Sequence, residues 1–77
     1  MKVYLYTPVS GKTFEAEWIH FPGGKAPFSV LKGHAPMISL LEEGTILWRT
    51  PEKEEGSVQI KSGVVRIEDD KIEICAE

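Results

Sequence analysis

The sequence predicts an all-β chain, an antiparallel two-layer β-sandwich or flattened barrel of about 8–10 short strands. Three observations predict it. Apolar and polar residues alternate with period two in short runs. Turn residues interrupt these runs at spacings of about ten residues. No stretch sustains the periodicity of a long amphipathic helix.

Taken in order, Lys2–Thr7 (KVYLYT) is rich in β-formers and sets Val3 and Leu5 against Tyr4 and Tyr6. Val9–Thr13 reads as the turn into the next strand. Thr13–Phe21 (TFEAEWIHF) reads as one continuous strand, with Phe14, Ala16, Trp18 and His20 on one face and Glu15 and Glu17 on the other. Trp18 is thereby expected to pack in the core. Pro27–Leu31 (PFSVL) is a short candidate strand. Pro36–Gly44 (PMISLLEEG) fits either a short strand or one helical turn. Gly44–Thr50 reads as a strand ending before Pro51, and the charged Pro51–Gly56 as a hairpin tip in water. Ser57–Lys61, Gly63–Glu68 and Lys71–Glu77 complete the strands. The last two are joined by a tight turn at Glu68–Lys71, because Asp tolerates the backbone angles such turns need. Ile67, Ile72 and Ile74 are expected to point inward. Lys2, Pro51, Lys53 and Lys61 are the residues expected to blunt exposed sheet edges.

The chain of 77 residues is read as one domain, residues 1–77. A domain of this size buries only about 60% of the surface its unfolded chain exposes, so its core is thin. Net charge is −3 and the nine basic residues are scattered, which argues against nucleic-acid binding through phosphate neutralisation. No apolar run approaches the length of a membrane span, so no direct membrane insertion is expected. Cys75 is the one cysteine, which rules out an internal disulfide and points to a reducing, cytosolic compartment.

Each motif that suggests chemistry fails a physical requirement. Ser10-Gly11-Lys12-Thr13 looks like the tail of a phosphate-binding loop. The glycine such a loop needs five places before Gly11 is Tyr6, and the following residues read as a strand rather than a helix. His20, His34 and Cys75 are too few and too scattered for a zinc site, and no metal or cofactor is expected. A nucleophilic pair of Cys75 and His34 has no supporting pattern. Cys75 reads instead as a small side chain filling a core gap or a sheet face.

The stretch Phe21–Ile46 is the most informative. It holds a Gly-Gly loop, a short strand, then Gly33-His34-Ala35-Pro36. Gly33 permits a positive φ and Pro36 pushes Ala35 into extended backbone, so the turn is rigid and presents His34 at a fixed angle. With Phe28, Val30 and Leu31 before it and Ile38, Leu40, Leu41 and Gly44 after it, this pattern resembles the epsilon subunit of the rotary ATP synthase (delta in mitochondria). A second match is Ser62-Gly63 followed by Val64–Glu68, the Asp69-Asp70 turn and Ile72–Glu77. The resemblance runs from about Val3 to Glu77 in register. Lys32 stands where the family often has Pro, and Pro27 where an acidic residue or Gly is frequent.

The resemblance implies a central-stalk rotor subunit with no catalysis of its own, which couples the gamma subunit to the membrane c-ring. Carried over to this sequence, Pro8, Ser10, His34, Ala35, Pro36 and Met37 would face gamma. Gly23, Gly24, Lys25, Ala26, Pro27 and Phe28 would face the polar loops of the c-ring. The location implied is the cytoplasmic face of the bacterial inner membrane, as part of the synthase. The family's C-terminal helical hairpin, which inhibits hydrolysis and in some members binds ATP, has no counterpart here, so the sequence reads as a short form. The competing reading is a stand-alone β-sandwich that binds a ligand such as a glycan, with Trp18 or Trp48 exposed beside His20.

Overall fold

A computed structural model describes residues 1–23 and 27–77. Nine strands occur among the described residues: β1 Lys2–Thr7, β2 Ser10–Glu15, β3 Trp18–Phe21, β4 Phe28–Leu31, β5 Met37–Leu41, β6 Gly44–Arg49, β7 Glu55–Ile60, β8 Gly63–Glu68 and β9 Lys71–Ala76. They form two layers, a five-stranded sheet in the order β2-β1-β9-β8-β5 and a four-stranded sheet in the order β4-β3-β6-β7. The expected sandwich is present. Pairing is antiparallel throughout except between β1 and β9, which run parallel from Lys2↔Lys71 to Tyr6↔Cys75.

Each sheet turns one set of alternate residues inward. Val3, Leu5, Val65, Ile67, Ile72 and Ile74 come from the larger sheet, and Ile19, Phe21, Val30, Ile46, Trp48 and Ile60 from the smaller. All are buried, and no polar side chain is buried with them among the described residues. Phe14 covers one margin of this layer by stacking on Trp48 at 4.6 Å between ring centroids, with the Lys12 ammonium over both rings. Ile67, Ile72 and Ile74 point inward as their phase requires.

The turns follow local chemistry. Asp69 and Asp70 join β8 to β9 with φ of 49° and 62°, the left-handed pair that a two-residue hairpin turn uses. The β6–β7 loop closes through Thr50 N donating to Glu54 O at 2.8 Å, and Lys53 takes a φ of 68°. The first hairpin is tighter than the sequence suggests. Pro8 and Val9 alone form its tip, braced by Ser10 N donating to Thr7 Oγ1 at 3.1 Å, while Gly11–Thr13 belong to β2. The Ser-Gly-Lys-Thr run is thus extended strand. Met37–Leu41 resolves as a strand, not a helical turn.

Thr13–Phe21 is not one strand. It divides into β2 in the larger sheet and β3 in the smaller. The hand-over takes one peptide: Ala16 N donates to Met1 O at 2.9 Å, and Glu17 N donates to Arg49 O at 2.7 Å. Crossing between layers shifts the inward phase by one residue. Phe14 and Ala16 face the core before the corner, and Ile19 and Phe21 after it. Trp18 and His20 therefore lie on the outer face, contrary to the expected alternation.

The residues expected to blunt edges do not sit on them. Lys2 lies in β1, inside the larger sheet, while Pro51, Lys53 and Lys61 lie in connections. The edge strands are β2, β5, β4 and β7.

The phase shift makes a direct prediction. Ile19→Ala should lower the unfolding free energy by about 2–4 kcal/mol, as a fully buried side chain does when truncated. Trp18→Ala, at a half-exposed position, should cost about 1 kcal/mol. Urea unfolding of the two variants ranks them, and the reverse order would mean that the chain does not cross between sheets at Ala16–Glu17.

Candidate functional site

The turn between β4 and β5 is held by its own backbone. His34 N donates to Leu31 O at 3.1 Å, and Gly33 takes a φ of 87°, the left-handed region that side chains disfavour. The His34 ring is pinned too. Its Nδ1 lies 2.7 Å from Ala35 O, and a carbonyl can only accept, so Nδ1 carries the proton. Ala35 and Pro36 are exposed beside it and Met37 is half-buried at the start of β5. The rigid, exposed turn expected from Gly33 and Pro36 is therefore present.

The structure does not bring the two parts of the expected gamma-facing set together. Pro8 and Ser10 lie at the β1–β2 hairpin, where β1 and β9 end and β8 begins. Met37 pairs with Ile67, Ile67 with Ile72, and Ile72 with Val3, which places His34–Met37 at the other end of the strands and on the opposite edge. The two segments mark diagonal corners of one sheet. A partner touching both must cover the outer face of that sheet.

That face has the surface such a partner needs, and sequence reasoning missed it. One row runs straight across the sheet through the pairings Gly11–Tyr6, Tyr6–Cys75, Cys75–Val64 and Val64–Leu40. Ile38 adjoins it on β5. Leu40 is 81% exposed, Ile38 71% and Tyr6 46%. A shallow groove of about 600 Å³, lined by Tyr6, Pro8, Leu40, Val64 and Cys75 among others, occupies the Pro8 end. A smaller groove between Pro36–Ile38 and Arg66–Glu68 occupies the other. The signal was in the sequence. Met37-Ile38-Ser39-Leu40-Leu41 is apolar on both alternating sets, and a strand covered on one side must leave one set in water.

Charge borders the apolar row. Arg66 donates to Glu68 Oε2 at 2.7 Å, and Lys71 lies 3.9 Å from Glu73. The hydrogen bond to Glu68, then the charges of Glu68 and Glu73, raise the Arg66 guanidinium above its ordinary value, so the group stays cationic throughout the accessible pH range. Cys75 stands exposed within the apolar row, so of its two expected settings the sheet face is the one observed.

Of the segment expected to face the c-ring, Gly24, Lys25 and Ala26 lie outside the described residues. Phe28 is half-buried and stacks on Phe21 at 5.2 Å, which anchors β4 to β3. Gly23 is half-buried and Pro27 exposed. Pro22 packs so closely on Gly44 that a Cβ there would sit 2.5 Å from its ring, which places Pro22 at the same end of the sandwich as Pro8 and Glu77.

The features that would favour a sugar-binding face are incomplete. Trp48 is buried. Trp18 is half-exposed near His20, but the Arg49 guanidinium lies over its ring at 5.8 Å, on a face a sugar would stack against. His20 Nδ1 pairs with Ser29 Oγ at 2.9 Å. His34 and Cys75 lie at opposite ends of the strands and form no pair. Among the described residues no three His, Cys, Asp or Glu side chains converge.

Residues 4–77 match the family model described as the ATP synthase delta/epsilon chain, β-sandwich domain. An ATP synthase epsilon chain from Sulfurovum is 34% identical over 73 residues, covering 92% of this chain and 56% of that protein. One from Desulfitobacterium hafniense is 36% identical over 63 residues, covering 82% of this chain and 47% of that protein. The chain thus spans about half the length of these curated relatives. A chain in the central stalk and c-ring structure of the Tetrahymena thermophila mitochondrial ATP synthase has the same fold, with a TM-score of 0.84 at 20% identity over 99% of this chain and 62% of that one.

The left-handed Gly33 gives a test of the turn. Nothing lies within 4 Å of a Cβ placed there, so Gly33→Ala meets no clash. It should still destabilise the chain by about 1–2 kcal/mol through backbone conformation alone. An unchanged urea midpoint would mean that the turn is not held at positive φ.

Proposed function

The chain belongs to the delta/epsilon family of ATP synthase subunits, and on that premise we propose that it is a rotor component of the central stalk. In this reading it catalyses nothing. It turns with the gamma subunit and ties that subunit to the c-ring, so that torque from ion flow reaches the catalytic head. It works at the cytoplasmic face of the bacterial inner membrane, held there by the complex.

The observation that carries this reading is the outer face of the five-stranded sheet. Its apolar row joins the two corners, Pro8–Ser10 and His34–Met37, that the family resemblance assigns to gamma. An interface that transmits torque has to resist sliding, which needs buried apolar area and close complementarity rather than a few ion pairs. A strand face with one groove across its Pro8 end and another at its Pro36 end supplies both area and registration. Rigid turns at those corners add fixed positions: the His34 ring is tied to Ala35, and the Pro8–Val9 tip to Thr7.

The c-ring assignment of Gly23–Phe28 rests on the resemblance and on the anchoring of both ends of that loop. Phe28 is locked by Phe21, and Pro22 by Gly44. Pro22 and Phe28 lie at the sandwich end opposite His34, so in this reading that end would face the ring while the broad face meets gamma.

Co-purification tests the proposal. The tagged chain should retain the gamma subunit and c-ring of its own cell from detergent extracts. His34→Asp should weaken gamma retention by about tenfold or more while leaving the urea midpoint unchanged, since His34 is exposed. A chain that captures neither subunit but binds immobilised glycans would overturn the rotor reading.

A further inference from the structure

Of the four edge strands among the described residues, β5 is the longest that carries no charge to oppose pairing with another chain. β2 carries Lys12, β7 opens on Glu55, and the uncharged β4 has only four residues. β5 reads Met-Ile-Ser-Leu-Leu, with no charge and no proline within it. Among the described residues its only neighbour in the sheet is β8, so the backbone groups on its far side have no strand partner there. An exposed apolar edge of this kind is a template for a further strand.

We propose that, free of other partners, two copies of this chain pair antiparallel through β5, joining their five-stranded sheets into one continuous sheet. The segment is close to self-complementary about Ser39. A two-fold axis there sets Ile38 opposite Leu40 of the second copy on the outer face, and Met37 opposite Leu41 toward the core. The most exposed side chains on the strand thus cover each other. Direction is set by charge. Lys32 precedes the strand, and Glu42 and Glu43 follow it. Antiparallel pairing brings the acidic end of one copy alongside the basic end of the other. Parallel pairing would stack like charges. The occupant that supplies both the apolar match and the charge match is β5 itself.

Sedimentation of the full chain should show self-association that rises with concentration. Leu40→Lys should weaken it by at least about tenfold, because the two-fold axis places the change in the interface twice. Leu40 is 81% exposed, so this variant should fold as before. A second measurement fixes the register. In a Cys75→Ser background, Ser39→Cys should form an interchain disulfide under mild oxidation. Facing Cα atoms across an antiparallel pair lie about 4.5–5.5 Å apart, within disulfide range. Ile38→Cys in the same background, offset from its own copy, should cross-link far less. A monomer at every concentration, a dimer that survives Leu40→Lys, or equal cross-linking at positions 38 and 39 would each overturn the proposal. So would self-association of Cys75→Ser/Ser39→Cys that yields no covalent dimer.

Discussion

The apolar layer between the two sheets is the constraint on which the rest of this structure depends. It is built from Ile, Val, Leu, Phe and Trp side chains, with no polar side chain buried among the described residues and no disulfide to assist it. Stability and shape therefore come from the same source. A close-packed interior has low compressibility and passes strain on rather than absorbing it. Both turns at the corners of the larger sheet are set on strands that face this layer, so their positions are as fixed as the layer itself. For a chain whose proposed work is to transmit a mechanical load, that stiffness is the relevant property.

Much of this was legible in the sequence where local chemistry and tertiary environment agree. Asp69 and Asp70 favour the left-handed pair that the hairpin needs, and the pairing of β8 with β9 puts Ile67, Ile72 and Ile74 inside. Gly33 and Pro36 specify the turn that displays His34. The corner at Ala16–Glu17 was not legible. Period two reports which side of a strand a residue occupies but not which sheet the strand joins. No Gly or Pro marks the crossing, because its hydrogen bonds pass from Met1 to Arg49 within one peptide. Parallel pairing of β1 with β9 was hidden for a related reason: it joins the two ends of the chain, and no short-range pattern reports it.

The candidate surface divides in the same way. Its corner residues could be named from local motifs, whereas their diagonal placement follows from strand order. The apolar row of Tyr6, Val64 and Leu40 exists only after β1, β9, β8 and β5 are set side by side. Exposed apolar area of this kind is costly in an isolated small domain and useful in an assembly. The thin core and the uncovered face have a common origin in the size of the chain. A two-layer fold of 77 residues has one inner face per sheet to bury, and whatever covers the outer face must come from outside these residues.

The most direct test of this account is hydrogen exchange on the chain alone and bound to the gamma subunit. Protection should rise along β5 and the start of β8 and at Thr7–Ser10. The outer surface of the four-stranded sheet, around Trp18 and Leu47, should exchange as before. Protection confined to the four-stranded sheet, with β5 and the first hairpin unchanged, would contradict the assignment of the larger sheet as the gripping face.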